Sequence, residues 1–273
     1  MKIAFVGCGA AGRALARLWL RAGHEIGAIQ NRSTSADAVV AIGAGTADGS
    51  LDDADVVVFA TPDDALSKAA SDIALRPDQV AIHLSGALPS TVLQPTGARV
   101  ASLHPLRAFA SIDVDMSGTW CFVEGDVIAE QLARDLGAEV ARIETDRKLL
   151  YHAGAAIASN YLVTLFDWAR RCFRGAGIDA EDTEADAAIL ALMRGTLDNV
   201  AAKGAAEGLT GPIARGDLDV IQGHLAALPD AEKPLYCALL EATIPLGLVR
   251  GTLDPKTAKK LADLAFENRA TQP

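Results

Sequence analysis

Short apolar runs alternate with segments of helical periodicity through the first half of the chain. The helical spacing of apolar positions falls at residues 13–22, 35–42, 63–73 and 127–136. The apolar runs, which are typical of strands buried on both faces of a sheet, fall at residues 2–7, 25–30, 44–46, 55–60, 79–84, 99–104, 120–123 and 139–143. This alternation predicts an α/β domain with a doubly wound sheet.

The pattern changes near Thr145. Beyond it we find no convincing strand pattern, and helical periodicity covers residues 148–173, 185–207, 217–228, 233–250 and 255–270. The sequence therefore predicts two domains, an α/β domain of residues 1–145 followed by an all-helical domain of residues 146–273.

The first of these long helices carries a group of small side chains, at Gly154, Ala155, Ala156, Ala158 and Ser159. Small side chains let another helix approach closely, and that helix belongs either to the same domain or to a second copy of the chain. We expect a homodimer formed through the helical domain, and packing within the domain remains open as the alternative.

A glycine-rich turn follows the first apolar run directly. It reads Gly7-Cys-Gly-Ala-Ala-Gly12, the G-x-G-x-x-G spacing that binds a dinucleotide between a strand and a helix. Gly7 permits the tight turn, Gly9 lets the backbone approach the pyrophosphate, and Gly12 lets helix and strand pack closely. We predict a Rossmann nucleotide-binding domain with Gly7, Gly9, Ala10, Ala11 and Gly12 at the phosphates.

The end of the second apolar run distinguishes NAD from NADP. An NAD enzyme places an Asp or Glu there for the ribose 2′-hydroxyl, whereas this chain reads Asn31-Arg32-Ser33. A guanidinium among small donors can bind a 2′-phosphate through charge-assisted bonds, so the sequence favours NADP. A role for Ser33 or Ser35 as the cap of the next helix, with Arg32 in solvent, is compatible with this prediction.

The carboxyl ends of three later strands carry further candidates. Ligands of a doubly wound sheet bind at that edge, so Ala60, Thr61 and Pro62 are expected to contact the cofactor. Ser85 would then lie near the nicotinamide. His104 is a candidate substrate contact, and the alternative is that His104 and the following proline form only a rigid turn.

Polar residues interrupt the apolar helix predicted at 148–173. Lys148, His152, Ser159 and Asn160 are spaced so that they project roughly onto one face. A carbonyl reductase needs a hydride from its cofactor, a proton donor for the developing alkoxide and groups that orient the substrate. We predict Lys148 or His152 as the donor, and Asn160, beside Ser159, as the group that holds a carbonyl or carboxylate. The alternatives are a solvated Lys148 and a hydrogen-bonded core role for His152.

A second set of candidate substrate contacts lies in the predicted loop of residues 209–217. Thr210, Arg215 and the helix start at Asp217 together suit a substrate carboxylate. The alternative is a plain Gly-Pro loop in which Asp217 only caps the next helix.

The charge and the cysteine pattern argue against several kinds of partner and site. A net charge of −10 and a pI of about 4.9, without a cluster of Lys and Arg, argue against nucleic acid and against an anionic membrane. The four cysteines are scattered without a Cys-x-x-Cys pair, so we expect a reducing cytoplasm and neither a zinc site nor a disulfide framework. The apolar stretch 149–166 contains His152, Ser159 and Asn160, and the first strand starts at residue 2, so we expect neither a membrane span nor a signal peptide.

Several short motifs together give a family resemblance over nearly the whole chain. They are Gly7-Cys-Gly-Ala-Ala-Gly12, Asn31-Arg-Ser33, Thr61-Pro-Asp63, His83-Leu-Ser-Gly86, Ser102-Leu-His-Pro105, Tyr151-His152 with Ser159-Asn-Tyr161, and Leu209-Thr-Gly-Pro212 with Arg215-Gly-Asp217. With them the chain resembles the bacterial "Rossmann-like and DUF2520" oxidoreductases, also labelled F420-dependent NADP oxidoreductase-like. That group is similar to ketopantoate reductase, pyrroline-5-carboxylate reductase and the 6-phosphogluconate dehydrogenase superfamily. The resemblance implies a Rossmann domain, a helical dimer-forming domain and an active site in the cleft between them.

The resemblance also implies a reaction, since some members of the group are reported to reduce ketopantoate. In ketopantoate reductases a helix carries a Lys followed four residues later by an Asn; here Lys148 matches the Lys and His152 occupies the Asn position. We expect an NADP-dependent reductase of a small carbonyl acid, with ketopantoate as the leading candidate and Arg215 helping to orient it. The alternatives are reduction of an imine such as pyrroline-5-carboxylate, hydride exchange with coenzyme F420 and, in another class, a non-catalytic NADP-binding sensor.

Overall fold

The structure, a computed structural model, describes residues 1–32, 34–178 and 183–269. Backbone contacts divide the chain into two compact units, Met1–Ser159 and Asn160–Pro273. Two residues used in the sequence predictions, Ser33 and Ala270, lie outside the described residues. The domain boundary after residue 145 stays a prediction.

The first unit is built on one eight-stranded sheet. Its strands are β1 (Lys2–Val6), β2 (Glu25–Gln30), β3 (Thr46–Ala47), β4 (Val56–Phe59), β5 (Val80–His83), β6 (Arg99–Pro105), β7 (Trp120–Gly125) and β8 (Glu139–Arg142). Their order in the sheet is β3-β2-β1-β4-β5-β6-β7-β8, and the strands from β3 to β6 in that order are parallel. The strand order reverses between β1 and β4, and dinucleotides bind at the carboxyl end of such a switch point.

Four helices pack against the two faces of this sheet. They are α1 (Ala10–Arg21), α2 (Ser35–Ile42), α3 (Asp63–Asp72) and α4 (Ile128–Arg134). On one face Trp19 of α1 is fully buried near Phe5, and its indole N–H donates to the carbonyl oxygen of Leu132 on α4. On the other face Leu66 of α3 is fully buried in a second apolar core. The α/β fold expected from the alternating pattern is confirmed.

β7 departs from the parallel pattern, because it pairs antiparallel with β6. The segment between them, residues 106–119, contains no helix, so the chain returns along the neighbouring strand instead of crossing over the sheet. The sequence pattern ends this strand at residue 123, but the structure places Glu124 inside it, opposite Ser102. The start of β7 therefore lies at the same edge of the sheet as the end of β6.

All the regular structure described in the second unit is helical. α5 (Lys148–Gly175) begins in the first unit and continues into the second, and it is followed by α6 (Thr183–Gly208), α7 (Pro212–Arg215), α8 (Leu218–Ala227), α9 (Lys233–Arg250) and α10 (Pro255–Arg269). A small core of α8, α9 and α10 contains the buried residues Ile221, Leu240 and Leu261. The helical prediction is confirmed, except that α7 forms one short turn where the sequence predicted only a loop.

Much of α5 is apolar and uncovered. Leu149, Leu150, Ile157 and Val163 are between 60% and 72% exposed. Within the described residues, 145–175 is the one helix long and apolar enough to cross a bilayer by length and composition, and none of its most apolar 18-residue window is buried. No membrane span was expected here, because the stretch contains His152, Ser159 and Asn160; the mean hydropathy of the window is nevertheless 1.3. An apolar surface of this kind is typical of an interaction site.

Candidate functional site

The glycine turn between β1 and α1 has the packing of a nucleotide-binding loop. Gly7 has a φ of +74°, and a Cβ there would lie 2.7 Å from Thr61 Cγ2. A Cβ on Gly12 would lie 2.9 Å from the Cβ of Ala60. Both positions need glycine, because the turn and α1 lie directly against the end of β4. A Cβ on Gly9, in contrast, would meet no described atom within 4 Å, so the space beside it is open to a ligand.

Polar groups around this loop are available to a cofactor. The hydroxyl oxygen of Thr61 is buried and has no hydrogen-bond partner among the described residues. α1 has no acidic side chain in its first turn, its first residue, Ala10, is exposed and Ala11 is half-buried, and Pro62, beside Thr61, is exposed. An orphaned hydroxyl and an uncompensated helix N-terminus beside an open glycine turn fit the pyrophosphate of a dinucleotide.

The end of β2 presents an exposed guanidinium, that of Arg32. Next to it the N–H of Asn31 donates to Ser35 Oγ at 2.9 Å, and Ser35 Oγ donates to Asp48 at 2.5 Å. Ser35 is therefore not the cap of α2, and the N-cap position is occupied by Thr34. A contact between Arg32 and the 2′-phosphate of NADP stays a prediction.

His83 is buried at the end of β5, just before the predicted substrate edge. Its Nε2 lies 3.1 Å from the carbonyl oxygen of Pro89, and its Nδ1 lies 3.1 Å from the backbone nitrogen of Ser85. Since Nδ1 accepts that N–H, the ring proton is on Nε2. Burial lowers the pKa of His83 to about 4. A neutral histidine thus holds the turn that follows β5.

Ser85 lies in that turn, and its hydroxyl is used within the protein. Ser85 Oγ donates to Asp63 Oδ2 at 2.7 Å and accepts the backbone N–H groups of Ala87 and Leu88. These bonds tie the turn after β5 to the start of α3. A contact between Ser85 and the nicotinamide stays a prediction.

Lys148, at the start of α5, is buried, with only 2% of its surface exposed. Its Nζ donates to Ser102 Oγ at 2.6 Å and lies 3.4 Å from Glu124 Oε2 and 3.5 Å from the carbonyl oxygen of Ser85. Burial lowers the pKa of Lys148, and the Glu124 carboxylate opposes that shift. The ammonium therefore links α5 to β6, β7 and the turn after β5.

Glu124 is the other half of this buried ion pair, and several donors surround it. It accepts the N–H and the hydroxyl of Ser90, each at 3.0 Å, and the hydroxyl of Thr145 at 2.8 Å. Burial alone would raise the pKa of Glu124, but these donors and Lys148 hold it below its usual value. Both charges of the pair are thus compensated inside the protein.

One helical turn beyond Lys148, two imidazoles meet beside the turn after β5. Tyr151 Oη and His104 Nδ1 are 2.6 Å apart, and the rings of His104 and His152 are edge to face with centroids 5.9 Å apart. A Cβ on Gly86 would lie 2.8 Å from His152 Nδ1 and 2.9 Å from His104 Nε2, so both rings converge there only because residue 86 has no side chain. Burial, helped by the charges of His152 and Lys148, lowers the pKa of His104 to about 4.

The first turns of α5 contact alternate residues of β6. Lys148 contacts Ser102, and Tyr151 contacts His104, two residues further along the strand. Alternate strand residues share a face, which is why the ion pair and the imidazoles lie on the same side of β6.

The remaining predicted contacts are exposed. Ser159 and Asn160 are exposed on α5, and Thr210 is exposed before α7. In the second unit Arg215 forms an ion pair with Asp217, with 2.7 Å between Nη2 and Oδ2, although Asp217 also occupies the N-cap position of α8. The participation of Asn160, Thr210 and Arg215 in one site with the imidazoles stays a prediction.

Sequence reasoning gave no role to three residues of the cluster, Glu124, Gly86 and Tyr151. Glu124 carried no readable signal, because the apolar run before it ends at residue 123 and only the structure extends the strand to include it. Gly86 and Tyr151 carried none beyond their place in the motifs, since their roles depend on contacts between separate elements.

Two family models match the chain. Residues 2–85 match the family described as "NADP oxidoreductase coenzyme F420-dependent". Residues 119–243 match a domain of unknown function, DUF2520. None of the curated proteins matches the sequence.

Solved structures share the fold over most of their length. Protein TM1727 from Thermotoga maritima aligns with a TM-score of 0.74 at 27% identity, over 90% of this chain and 99% of that one. A 1-pyrroline-5-carboxylate reductase from Streptococcus pyogenes aligns with a TM-score of 0.61 at 14% identity, over 96% and 98% of the two chains. A reductive aminase from Aspergillus terreus, solved with NADPH and ethyl levulinate, aligns with a TM-score of 0.64 at 20% identity, also over 96% and 98%. The chain therefore joins a region similar to the F420-dependent NADP oxidoreductases, at residues 2–85, to a DUF2520 domain at residues 119–243.

Proposed function

We propose that this protein is an NADPH-dependent reductase of a small imine. The observation that carries the proposal is the arrangement at Gly86, where His104 lies beside His152 while the nearby ammonium of Lys148 is fully bound within the protein. NADPH bound at the glycine turn supplies the hydride. The chain's own residues hold the C=N group and exchange its proton.

Imine reduction does not require an acidic side chain in the binding site. A protonated imine accepts hydride at carbon and becomes a neutral amine, so no proton has to arrive with the hydride. A ketone becomes an alkoxide, which needs a proton donor already in place. The lowered pKa of His104, about 4, makes that ring a hydrogen-bonding group and not an acid near pH 7, which favours the imine.

The burial of Lys148 argues in the same direction. By resemblance to ketopantoate reductases, Lys148 would be the proton donor to a ketone. Its ammonium is bound by Ser102 and Glu124 and is 2% exposed, which favours a positioning role. His152, which is exposed, is then the residue proposed to exchange a proton with the substrate nitrogen.

The matched family and solved structures of the same fold support both proposals, that the cofactor is NADPH and that the reduced bond is C=N. The matched nucleotide domain is described as an NADP oxidoreductase. Two structures of the same fold carry names that refer to imine chemistry, a 1-pyrroline-5-carboxylate reductase and a reductive aminase, and the second was solved with NADPH. Arg32, exposed at the end of β2, provides the charge that discriminates NADPH from NADH.

The test is NADPH oxidation with pyrroline-5-carboxylate and other cyclic imines, run beside ketopantoate and other 2-oxo acids. We expect an imine to be reduced at least about tenfold faster than any oxo acid, a difference of about 1.4 kcal/mol in activation free energy. His152→Ala should lower turnover, while Thr164→Ala, a change at another exposed position of α5, serves as the control for the helix. Preferential turnover of ketopantoate would contradict the proposal. Tight NADPH binding without any turnover would favour hydride exchange with F420 or a sensor role.

We also propose that the protein is a cytoplasmic homodimer associated through α5. The exposed apolar side chains of this helix lie among the small residues at Gly154, Ala155 and Ala158 that allow close approach of another helix. A net charge of −10 disfavours the alternative that an anionic membrane covers the apolar surface of α5. All four cysteines are free, as suits a reducing compartment.

Analytical ultracentrifugation tests the dimer. Ile157→Asp places a charge on α5, at a residue that is 60% exposed in the single chain, and should convert a dimer to monomers. Val40→Asp, at a residue 81% exposed on α2, places the same charge outside the proposed interface and should leave the dimer intact. A monomeric wild-type protein, or one that binds vesicles of anionic lipid, would contradict this proposal.

A further inference from the structure

Tyr151 makes a short hydrogen bond to one of the two imidazoles at Gly86. Its hydroxyl lies 2.6 Å from His104 Nδ1, and its ring packs on Phe122 of β7 with centroids 4.4 Å apart. The ring packing and the hydrogen bond together fix where the hydroxyl lies. Tyr151 therefore reaches from α5 to the end of β6 and orients His104.

The chemistry of the two groups decides which one donates. Burial raises the pKa of Tyr151 and lowers that of His104, so the phenol is protonated and the imidazole is neutral near pH 7. A phenol is a better donor than acceptor, whereas the bare nitrogen of a neutral imidazole is a good acceptor. The hydroxyl of Tyr151 therefore donates to Nδ1, and the imidazole hydrogen lies on Nε2.

His83 shows how differently a tautomer can be fixed in this protein. Its two nitrogens are both paired with backbone groups, at Pro89 and Ser85, so the backbone sets its protonation. Nε2 of His104, in contrast, has no hydrogen-bond partner among the described residues and lies beside Gly86 and His152. The Tyr151 hydroxyl alone sets the tautomer of His104.

We propose that Tyr151 is a positioning residue that locks His104 as the Nε2–H tautomer, so that a neutral N–H donor faces the substrate beside His152. That N–H donates to a carboxylate or carbonyl oxygen of the substrate, which a lone pair would repel, and it leaves the substrate nitrogen to His152. Tyr151 thereby selects which end of a small substrate binds at Gly86. The kinetic consequence of this inference rests on the proposed function, whereas the tautomer itself does not.

Nuclear magnetic resonance of protein labelled with ¹⁵N-histidine tests the tautomer directly. The chain has only five histidines, and His104→Gln identifies the signal of residue 104. In the wild type we expect His104 to carry its hydrogen on Nε2 between about pH 5 and 8. The charged or titrating groups near it are His152 and Lys148, which lower its pKa, and Asp63, which raises it.

Two variants separate the hydroxyl from the ring. Tyr151→Phe keeps the ring and removes the donor, so His104 should show a mixture of tautomers and become protonated at higher pH. Phe122→Leu removes the ring that Tyr151 packs on and keeps the hydroxyl, so the Nε2–H tautomer should persist. Hydrogen on Nδ1 in the wild type, or an unchanged tautomer in Tyr151→Phe, would overturn the inference.

Kinetics with the imine substrate test the consequence. Tyr151→Phe should lower kcat/KM for the imine at least about tenfold and leave NADPH affinity unchanged. In a His104→Ala background there is no imidazole tautomer to select, so adding Tyr151→Phe should have no further effect. A persistent effect there would overturn the positioning role. If the tautomer shifts as expected but no imine is reduced, the tautomer lock stands and the proposed reaction fails.

Discussion

The two halves of the ligand-binding edge of the sheet treat their polar groups in opposite ways. At the ends of β1, β2 and β4, the open half, Arg32 is exposed, Gly9 lies beside empty space and the buried hydroxyl of Thr61 has no partner among the described residues. At β5, β6 and β7, the closed half, Lys148 and Glu124 are bound by several neighbours each.

This difference shows which half is preorganised. The open half is complete only with a cofactor, because a buried hydroxyl without a partner costs free energy until a ligand supplies one. The closed half already holds its charges and rings in place, and fixed polar groups of this kind need no reorganisation when substrate binds. The cofactor site thus leaves a buried polar group for its ligand to satisfy, whereas Lys148 and Glu124 are already satisfied within the protein.

Breaking the ion pair of the closed half should have the largest effect. Lys148→Met leaves the Glu124 carboxylate buried without its counter-charge, and we expect the free energy of unfolding to fall by about 3–5 kcal/mol. The double variant with Glu124→Met should recover part of that loss, since an apolar pair can replace a buried ion pair at little cost. Urea unfolding followed by circular dichroism measures both. A single variant as stable as the wild type would show that the pair is not needed to hold α5.

Acid should weaken the same half through His83. Its pKa is about 4 in the folded protein and near 6.5 ordinarily, so the unfolded chain binds more protons between these values and stability falls as the pH is lowered through that window. For this one group the loss is about 3 kcal/mol. We expect His83→Gln to be less stable than the wild type at pH 7 and to lose less on acidification, with urea unfolding at several pH values as the measurement. His104 contributes equally to both proteins, so identical pH slopes would exclude His83.

Arg32 tests the open half without disturbing the fold. Arg32→Ala should weaken NADPH binding by about 1.5–3 kcal/mol, the contribution of a hydrogen bond to a charged group, and leave NADH binding unchanged. Isothermal titration calorimetry with both nucleotides measures the difference. Arg134→Ala removes an exposed guanidinium on α4 and is the control. Equal losses for the two nucleotides would contradict a contact with the 2′-phosphate.

The smallest effect, and the sharpest contrast, is expected at Thr61. Thr61→Val removes the unpartnered hydroxyl, so the free protein should be stabilised by up to about 1 kcal/mol while NADPH binds more weakly. Ser102→Ala, in the closed half, removes a hydroxyl that accepts from Lys148 and should destabilise the protein instead. Thermal unfolding with and without NADPH distinguishes the two. Destabilisation by both variants would mean that the halves do not differ.

The open half was predictable because its information is local. Gly7, Gly9 and Gly12 lie within six consecutive positions between a strand and a helix, and each has a conformational or packing reason that the structure reproduces at Gly7 and Gly12. The fold followed from the same local patterns of apolar spacing.

The closed half was only partly predictable, because its contacts join distant positions. Lys148 and His152 emerged as candidates from helical spacing, but the partners of Lys148 lie 46 and 63 residues away, at Ser102 and Ser85. Glu124 reaches Lys148 only because β7 runs antiparallel to β6. No local sequence pattern encodes that change of strand direction. Without knowing it, a reader of the sequence cannot distinguish a buried Lys148 from a solvated one.

The length of the link between β8 and α5 determines how the start of the helix meets β6. Residues 143–147 set where the helix starts along β6, and therefore which helical positions reach Ser102 and His104. One inserted residue would rotate the helix by about 100° and move every one of its contacts off the strand together. Surface loops usually tolerate insertions, but this one is a spacer whose length specifies the site, and any chimera that exchanges the helical domain has to preserve it.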